Sequence, residues 1–422
     1  MINKMIKHVL KQIWTQRLSN SWLWIELFLV SVFLWFIVDY IYVIANIYTT
    51  PTGYNIEHTY QVSLDQLLPG SDDYISPEKK KTTLGEDLLT AVNRIRNYPG
   101  IEAVCLSQYG IPYSGGNAYN NFVLDTVDVN MQKRLVTPDF FRVFRITTPE
   151  GKVDPLVTAL KNENSCVVST EAEERYLKSG RPLIGATLNG ADSSKVKLYG
   201  ICSSIRYSEF SRKKANIFIK VSDAEIAKDN TSNLIAGVEI SFRVSPDADH
   251  DFVSHFKNDM AKQLKIDNLF LLDVKPMSDV RNTFFLATGD FNELNTRLVV
   301  VGFLLLNIFL GIIGTFWFRT AYRKAEMGLR LAVGSTRTSL FRILIAEGVI
   351  LLTLAIIPAG VISFNIGIAD LVDVNRMDFT FVRFICGMLI TYLLMAFMMI
   401  LGILYPARQA MKIQPAEVLH EQ

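Results

Sequence analysis

Residues 319–348, RTAYRKAEMGLRLAVGSTRTSLFRILIAEG, hold the densest group of side chains that could act together. Arg319, Arg323, Lys324, Arg330, Arg337 and Arg342 stand against the single acid Glu326, and Glu347 follows where the sequence turns apolar. Guanidinium and carboxylate groups spaced like this make ion pairs and docking contacts; they are not a nucleophile with its base. The motifs of catalysis are missing from the whole chain. No G-x-x-x-x-G-K-[ST] phosphate loop occurs, because Gly328 and Gly334 have no Lys-Ser or Lys-Thr at the required offset. H-E-x-x-H, C-x-x-C and G-x-S-x-G are absent too. His8, His58, His250, His255 and His420 are scattered, and the step from His250 to His255 is not the i, i+4 pairing of a helical metal site. Cys105, Cys166, Cys202 and Cys386 show no metal-ligand spacing, and the three in the external region cannot all pair, which leaves room for one oxidised pair at most. The expectation is a chain without enzymatic activity, metal or cofactor of its own.

The elements that must position these charges are membrane spans. Half of the 422 residues are hydrophobic and the formal net charge is only +2. Segments 22–48, 298–318, 343–368 and 384–404 are each long enough to cross about 30 Å of hydrocarbon, which takes ~20 helical residues. Lys4, Lys7, Lys11 and Arg17 precede the first span without an acid, and the link between the third and fourth spans carries Asp370, Asp373 and Asp378. Lys/Arg enrichment marks cytoplasmic loops, so both termini are expected inside and 49–296 outside. The first span is too long for a cleavable signal and runs into Tyr40, Tyr42 and Tyr48 with no small-residue cleavage site, so it reads as an anchor. Trp22 and Trp24 suit an interfacial aromatic belt. Glu26 and Asp39 lie near its two ends, where a charge is tolerated.

The expected fold is therefore four transmembrane α-helices with a large α+β extracytoplasmic domain inserted between the first and second. Its divisions are an amphipathic N-terminal segment (1–21), the first helix (22–48), the external domain (49–283), a stalk with the second helix (284–318), a basic cytoplasmic segment (319–342), the third helix (343–368), a short outer loop (369–383), the fourth helix (384–404) and a tail (405–422). In the external domain, 103–107, 121–129, 166–169, 196–202, 216–221 and 238–244 read as strands, being β-branched or aromatic between turn residues. Helices are expected at 86–97, 170–179 and 251–264, the second opened by a Thr170/Glu173 capping box. Residues 68–84 read as a surface loop, and the whole as two lobes. Phe284, Ala287, Phe291, Leu294 and Leu298 recur at helical steps and predict a stalk running into the second span without a break, beside the end of the first. Within the spans, Glu347 is expected to pair with Arg342 or Arg319. Asn307 and Asn365 are polar insertions, Pro358 should bend its helix, and Gly302, Gly311 and Gly314 would permit close helix contacts. With no acid near midplane, an ion-coupled carrier is disfavoured.

Glu326–Gly334 reads EMGLRLAVG and should form a helix ending at Gly334. Met327, Leu331 and Gly334 fall on one side of it, with charges around them. Gly328 inside a helix costs about 1 kcal/mol relative to Ala, and close approach by a partner would rationalise it. By chemistry alone this is either a docking helix or a basic helix lying on anionic lipid. EMGLRLAVGSTRTSLFRILIAEG resembles the E-I-G-I-R-R-A-L-G-A-S-R-x-x-I-x-x-x-x-x-x-E-(G/A) signature of MacB/FtsX-type ABC transporter permeases, through Glu326, Gly328, Arg330, Gly334, Arg337 and Glu347. The closing YPARQAMKIQPAEVLHEQ is similar to the family's P-A-x-x-A-x-x-x-x-P-x-E-A-L, through Pro406, Ala407, Ala410, Pro415, Glu417 and Leu419. YPGIEAV, VTPDFFRVFRI and YGICSSIRY before NIFIKV resemble its periplasmic core domain. Leu331 departs from the signature, standing where a second Arg is common, and the fused ATPase domain of MacB proper is missing. The resemblance implies a permease subunit in a bacterial inner membrane that transmits the ATP cycle of a separate ABC ATPase to its periplasmic domain. Glu326, Met327, Gly328, Arg330, Leu331 and Gly334 would couple to that ATPase, and Pro406, Arg408, Pro415 and Glu417 of the tail would lie alongside. ATP–Mg would then sit on the partner. A homodimer or a heterodimer with a related permease, lipid contact and a periplasmic adaptor are implied, and no nucleic acid. The rival reading is a membrane-anchored receptor or scaffold whose periplasmic domain binds a peptide, lipoprotein or cell-wall enzyme.

Overall fold

A computed structural model describes residues 11, 14, 15, 17–76, 78–180, 182–231 and 233–410. Most of the expected N-terminal segment, and Pro415 and Glu417 of the tail, lie outside the described residues. The chain divides into two units, one of residues 50–291 and one formed by the segments on either side of it.

The first helix, α1 (Arg17–Thr49), has 33 residues and so reaches about 50 Å, more than a bilayer's hydrocarbon thickness. The external domain follows with ten strands among the described residues: β1 (Thr59–Gln66), β2 (Ile101–Gln108), β3 (Ala118–Leu124), β4 (Val127–Val136), β5 (Ser165–Ser169), β6 (Thr187–Gly190), β7 (Lys195–Cys202), β8 (Asn216–Lys220), β9 (Glu239–Val244) and β10 (Leu269–Pro276). They form one sheet in the order β10-β1-β9-β2-β4-β3-β6-β7-β5-β8. Because β8 also pairs in parallel with β4, the strands from β4 to β8 close into a ring while β10-β1-β9-β2 extends from it as an open sheet. Each part has its own core. The open part buries Val62, Leu88, Phe242, Phe256 and Val274, and the closed part Phe122, Met131, Cys166, Tyr176 and Ile217.

The helices that matter below are numbered in chain order. α2 (Leu84–Arg96) starts at a reciprocal cap, Thr83 Oγ1 accepting from the Glu86 amide at 3.1 Å and Glu86 Oε2 from the Thr83 amide at 2.9 Å. It turns Leu84, Leu88, Ala91, Val92 and Ile95 onto the open sheet. α3 (Thr170–Tyr176) lacks the expected cap: its N-cap is Ser169, whose hydroxyl accepts the Asn216 amide of the neighbouring strand instead. α4 (Asn233–Gly237) and α5 (Phe252–Met260) precede β9 and β10. The segment expected as one strand at 121–129 is a hairpin, turned at Asp125 with φ 55°. β1, β6 and β10 are strands beyond those expected.

α6 (Met277–Thr288) ends at Gly289, whose φ of 74° is left-handed, and α7 (Asp290–Tyr322) begins immediately after. The stalk is therefore interrupted, correcting the expectation of a continuous helix. α8 (Lys324–Ala332), α9 (Arg337–Ile368) and α10 (Phe381–Ala410) complete the chain. α1, α7, α9 and α10 each contain a stretch long and apolar enough to span a membrane. α1 packs between α9 and α10 around Leu34, Leu351, Leu352, Met395 and Met399. Close approach occurs at Gly348, where an added Cβ would meet Met399 Sδ, and at Gly402, where it would come within 3.0 Å of Ile313 Cα. The expected glycines do not serve this purpose: Gly302, Gly311 and Gly314 have nothing near them, since most of α7 is uncovered by its own chain.

Candidate functional site

The polar segment after α7 is ordered by local chemistry. α7 runs to Tyr322, Arg323 leaves the helix, and its carbonyl accepts the Met327 amide at 3.0 Å as α8 begins. At the other end Gly334 adopts φ 96°, and the Ser335 amide returns to the Arg330 carbonyl at 3.0 Å, the Schellman arrangement that satisfies a helix C-terminus. Thr336 Oγ1 then caps α9 by accepting the Ser339 amide at 3.2 Å. Two helices thus abut through a turn with few free backbone groups.

Charges from three helices and from Arg323 between two of them meet beside this turn. Glu347 of α9 is almost wholly buried and accepts from Arg319 Nη2 at 2.5 Å and Arg323 Nη1 at 2.6 Å. Arg323 also donates from Nε to Glu326 Oε2 at 2.9 Å, and Arg330 reaches Glu326 Oε1 at 2.7 Å. Arg319 bonds the side-chain oxygen of Asn20 on α1 as well. The hydrogen bond from Arg323, with the charges of Arg323 and Arg330, holds the Glu326 carboxyl below its usual range. Arg319 is one of the two partners expected for Glu347; Arg323, the hub, is the partner the sequence reading did not single out.

α8 presents two faces. Met327, expected as a coupling residue, is 4% exposed and Gly328 is buried, so both turn inward. Leu329 at 61% and Val333 at 82% point outward. Glu326 and Arg330 are committed to the ion network, and Gly334 is the helix terminator. Leu331 and Pro406 have no described side chain, while Arg408 is exposed on α10, which continues to Ala410, so the expected tail begins inside a helix.

A second ionic clasp ties the spans at the opposite ends of the helices. Arg383 of α10 is fully buried and bonds Asp39 of α1 through two parallel contacts of 2.7 and 2.6 Å. Its remaining nitrogen donates to the carbonyls of Met377 at 2.6 Å and Asp373 at 3.2 Å. Arg376 joins Asp373 at 2.7 Å and Glu293 of α7 at 3.5 Å. Asp39, read from sequence as tolerated, is thus a structural partner. An acid within a span called for a buried cation, and Arg383, near the start of the fourth span, was the available signal. The other polar insertions are internally satisfied: Glu26 accepts from Thr315, and Asn307 and Asn365 donate to carbonyls of their own helices at 2.7 Å. Among the described residues no group of three or more metal-ligating side chains converges.

Among the described residues, four apolar helices, an extracytoplasmic domain between the first two and an ion-pinned short helix between the second and third define a multi-pass membrane protein. A family model described as the FtsX-like permease C-terminal region matches residues 298–415. That match assigns the C-terminal part of the chain, from the second span to the tail, to the FtsX-like permease C-terminal family. Similar solved structures include a domain of a permease protein from Porphyromonas gingivalis, at 16% identity and a TM-score of 0.34, covering 52% of this chain and 90% of that one. The periplasmic region of MacB from Actinobacillus actinomycetemcomitans is similar at 11% identity and a TM-score of 0.35, covering 56% and 97%. The extracellular domain of the noncanonic ABC-type transporter YknZ from Gram-positive bacteria is similar at 10% and 0.29, covering 50% and 100%. No curated protein matches the sequence.

Proposed function

We propose that this permease transmits the nucleotide cycle of a separate ATPase subunit, which would hold ATP–Mg, to its external domain. α8 would seat on that ATPase in the cytoplasm of a bacterial cell, with both termini on the same side of the inner membrane and the β-sheet domain in the periplasm. The observation that carries this reading is the outward apolar surface of Leu329 on α8 and Val333 in the turn after it, opposite an inward face bonded through Arg323 to α9. A push on such a helix acts on two spans at once, because Glu347 and Glu326 share Arg323 between them. A partner shifts a conformational equilibrium only by its differential affinity for the two states, so the ATPase must grip α8 differently before and after hydrolysis. Catalysis belongs to the ATPase. This chain contributes geometry, as a homodimer or beside a related permease in lipid, with a periplasmic adaptor as a further partner.

The test is reconstitution with the cognate ATPase. Leu329→Asp and Val333→Asp each place a charge on the docking face and should weaken complex formation and stimulated ATP hydrolysis by about tenfold or more, a loss equivalent to ~1.4 kcal/mol. Wild-type complex formation and stimulation in both variants would remove the docking assignment.

A further inference from the structure

The link between β7 and β8, residues 203–215, is a loop, yet Ile205, Arg206, Ser208 and Phe210 within it are buried. Loops ordinarily run over the surface, because a buried one must find a partner for each backbone polar group. The partners here include the two segments through which the external domain continues into membrane spans. These are residues 50–54, which follow α1, and α6, which precedes α7.

Arg206 holds the first segment. Its amide bonds the Thr52 carbonyl at 2.9 Å, its Nε donates to the Pro51 carbonyl at 3.3 Å, and its Nη2 donates to the Thr50 carbonyl. Backbone carbonyls are a firm handle, since they shift only when the chain itself shifts. The Tyr54 hydroxyl adds a bond to the Tyr207 carbonyl at 3.2 Å. Gly53, at φ 87°, passes so near that an added Cβ would run into the Ser204 carbonyl oxygen. Glu209 holds the second segment, its Oε1 accepting from Arg281 Nε of α6 at 2.6 Å. The rings of Tyr207 and Phe210 lie 5.5 Å from Phe284 and 5.4 Å from Phe285 of the same helix. The two holds are joined to each other, because Arg206 Nη1 donates to the Glu209 carbonyl at 2.9 Å. They are also rooted in the ring of strands: the Ser203 amide bonds the Thr147 carbonyl at 2.8 Å, and Asn216 Nδ2 of β8 donates to the Ile205 carbonyl at 3.4 Å.

We propose that residues 204–210 are a clasp that fastens both membrane connections of the external domain to its ring, so that a displacement delivered by the spans moves the domain as one body. Two connections anchored at separate places could slide past each other and absorb the displacement. Fastened to one turn, with Arg206 and Glu209 bonded together, they lose that freedom. The role rests on the proposed passage of a partner ATPase's cycle through this chain.

The test uses the full chain with its cognate ATPase in lipid nanodiscs. Spin labels at Leu177→Cys, beside the ring, and Leu286→Cys, on α6, occupy exposed positions and should report one narrow distance that ATP leaves unchanged. A fluorophore at Leu177→Cys, with acceptor dyes among the lipid headgroups, should show energy transfer that changes with ATP. Glu209→Ala and Arg206→Leu should each abolish that change and broaden the label distance, while ATPase binding and hydrolysis stay at wild-type levels. The inference is overturned if ATP alters the Leu177–Leu286 distance with the clasp intact, or if either variant, folded, keeps the wild-type response. The first result needs no change in the clasp, so misfolding of a variant leaves the test intact. Energy transfer indifferent to ATP with the clasp intact would remove the transmission reading itself, and the role of the clasp with it.

Discussion

Removing the Asp39 carboxylate should be among the most damaging single changes in the membrane part of this protein. Arg383 has no exposed side-chain surface and Asp39 has 2%, so neither charge can recover hydration when its partner is lost. Asp39→Asn leaves the guanidinium with the Met377 and Asp373 carbonyls and no counter-charge. Breaking a buried pair in this way costs about 3–5 kcal/mol, against about 0–1 kcal/mol for an exposed pair such as Arg142–Asp154. At ~1.4 kcal/mol per decade, that is two to nearly four orders of magnitude in the unfolding equilibrium. The desolvation of both ions offsets most of their attraction, so Asp39→Leu combined with Arg383→Met should lie within about 1–2 kcal/mol of the wild type. Unfolding in detergent micelles, followed for the wild type, Asp39→Leu, Arg383→Met and the double variant, closes the cycle, with Asp39→Asn measured beside it. If either single variant is destabilised no more than Asp154→Asn, or the double variant is as damaged as the worse single one, the account of this clasp is wrong. Its role would follow from its place: the bond joins the first and fourth spans, leaving α7, tied to it by the longer Arg376–Glu293 contact, as the span freer to move.

Two further outcomes follow from the same geometry. Glu347→Gln takes the shared counter-charge from Arg319 and Arg323 but leaves Leu329 and Val333 in place; the ATPase should still bind while its stimulation falls about tenfold, and parallel loss of binding and stimulation would mean that Glu347 only holds the fold. Cys105, Cys166 and Cys202 are buried and unpaired, and burial pushes their thiols up, so alkylation at pH 8 should modify none of them until the domain unfolds; mass-spectrometric labelling of the native protein at any of the three would contradict their placement.

What could be read in the sequence was whatever depends on neighbours along the chain. Span length follows from the rise of a helix and the thickness of hydrocarbon, and the four apolar segments appear as the four long helices. The end of α8 at Gly334 follows from a left-handed residue's need to lack a Cβ, and the strands at 166–169 and 216–221 from their β-branched runs. Even local patterns failed where a competing bond won, as at Thr170, or where a turn was hidden inside a run, as at Asp125. Distant pairings were beyond reach. Asp39 and Arg383 are 344 residues apart and meet only because α1 packs on α10. Met327 and Leu329 are both apolar members of one short helix, and only its seating on the spans turns the first inward and the second outward. Ten strands could be ordered in many ways, and the ring through β4 and β8 exists in one of them. The chain's own order sets which segments become helices and strands; which charges neutralise each other, and which surfaces stay open, is decided by what tertiary packing removes from solvent and lipid.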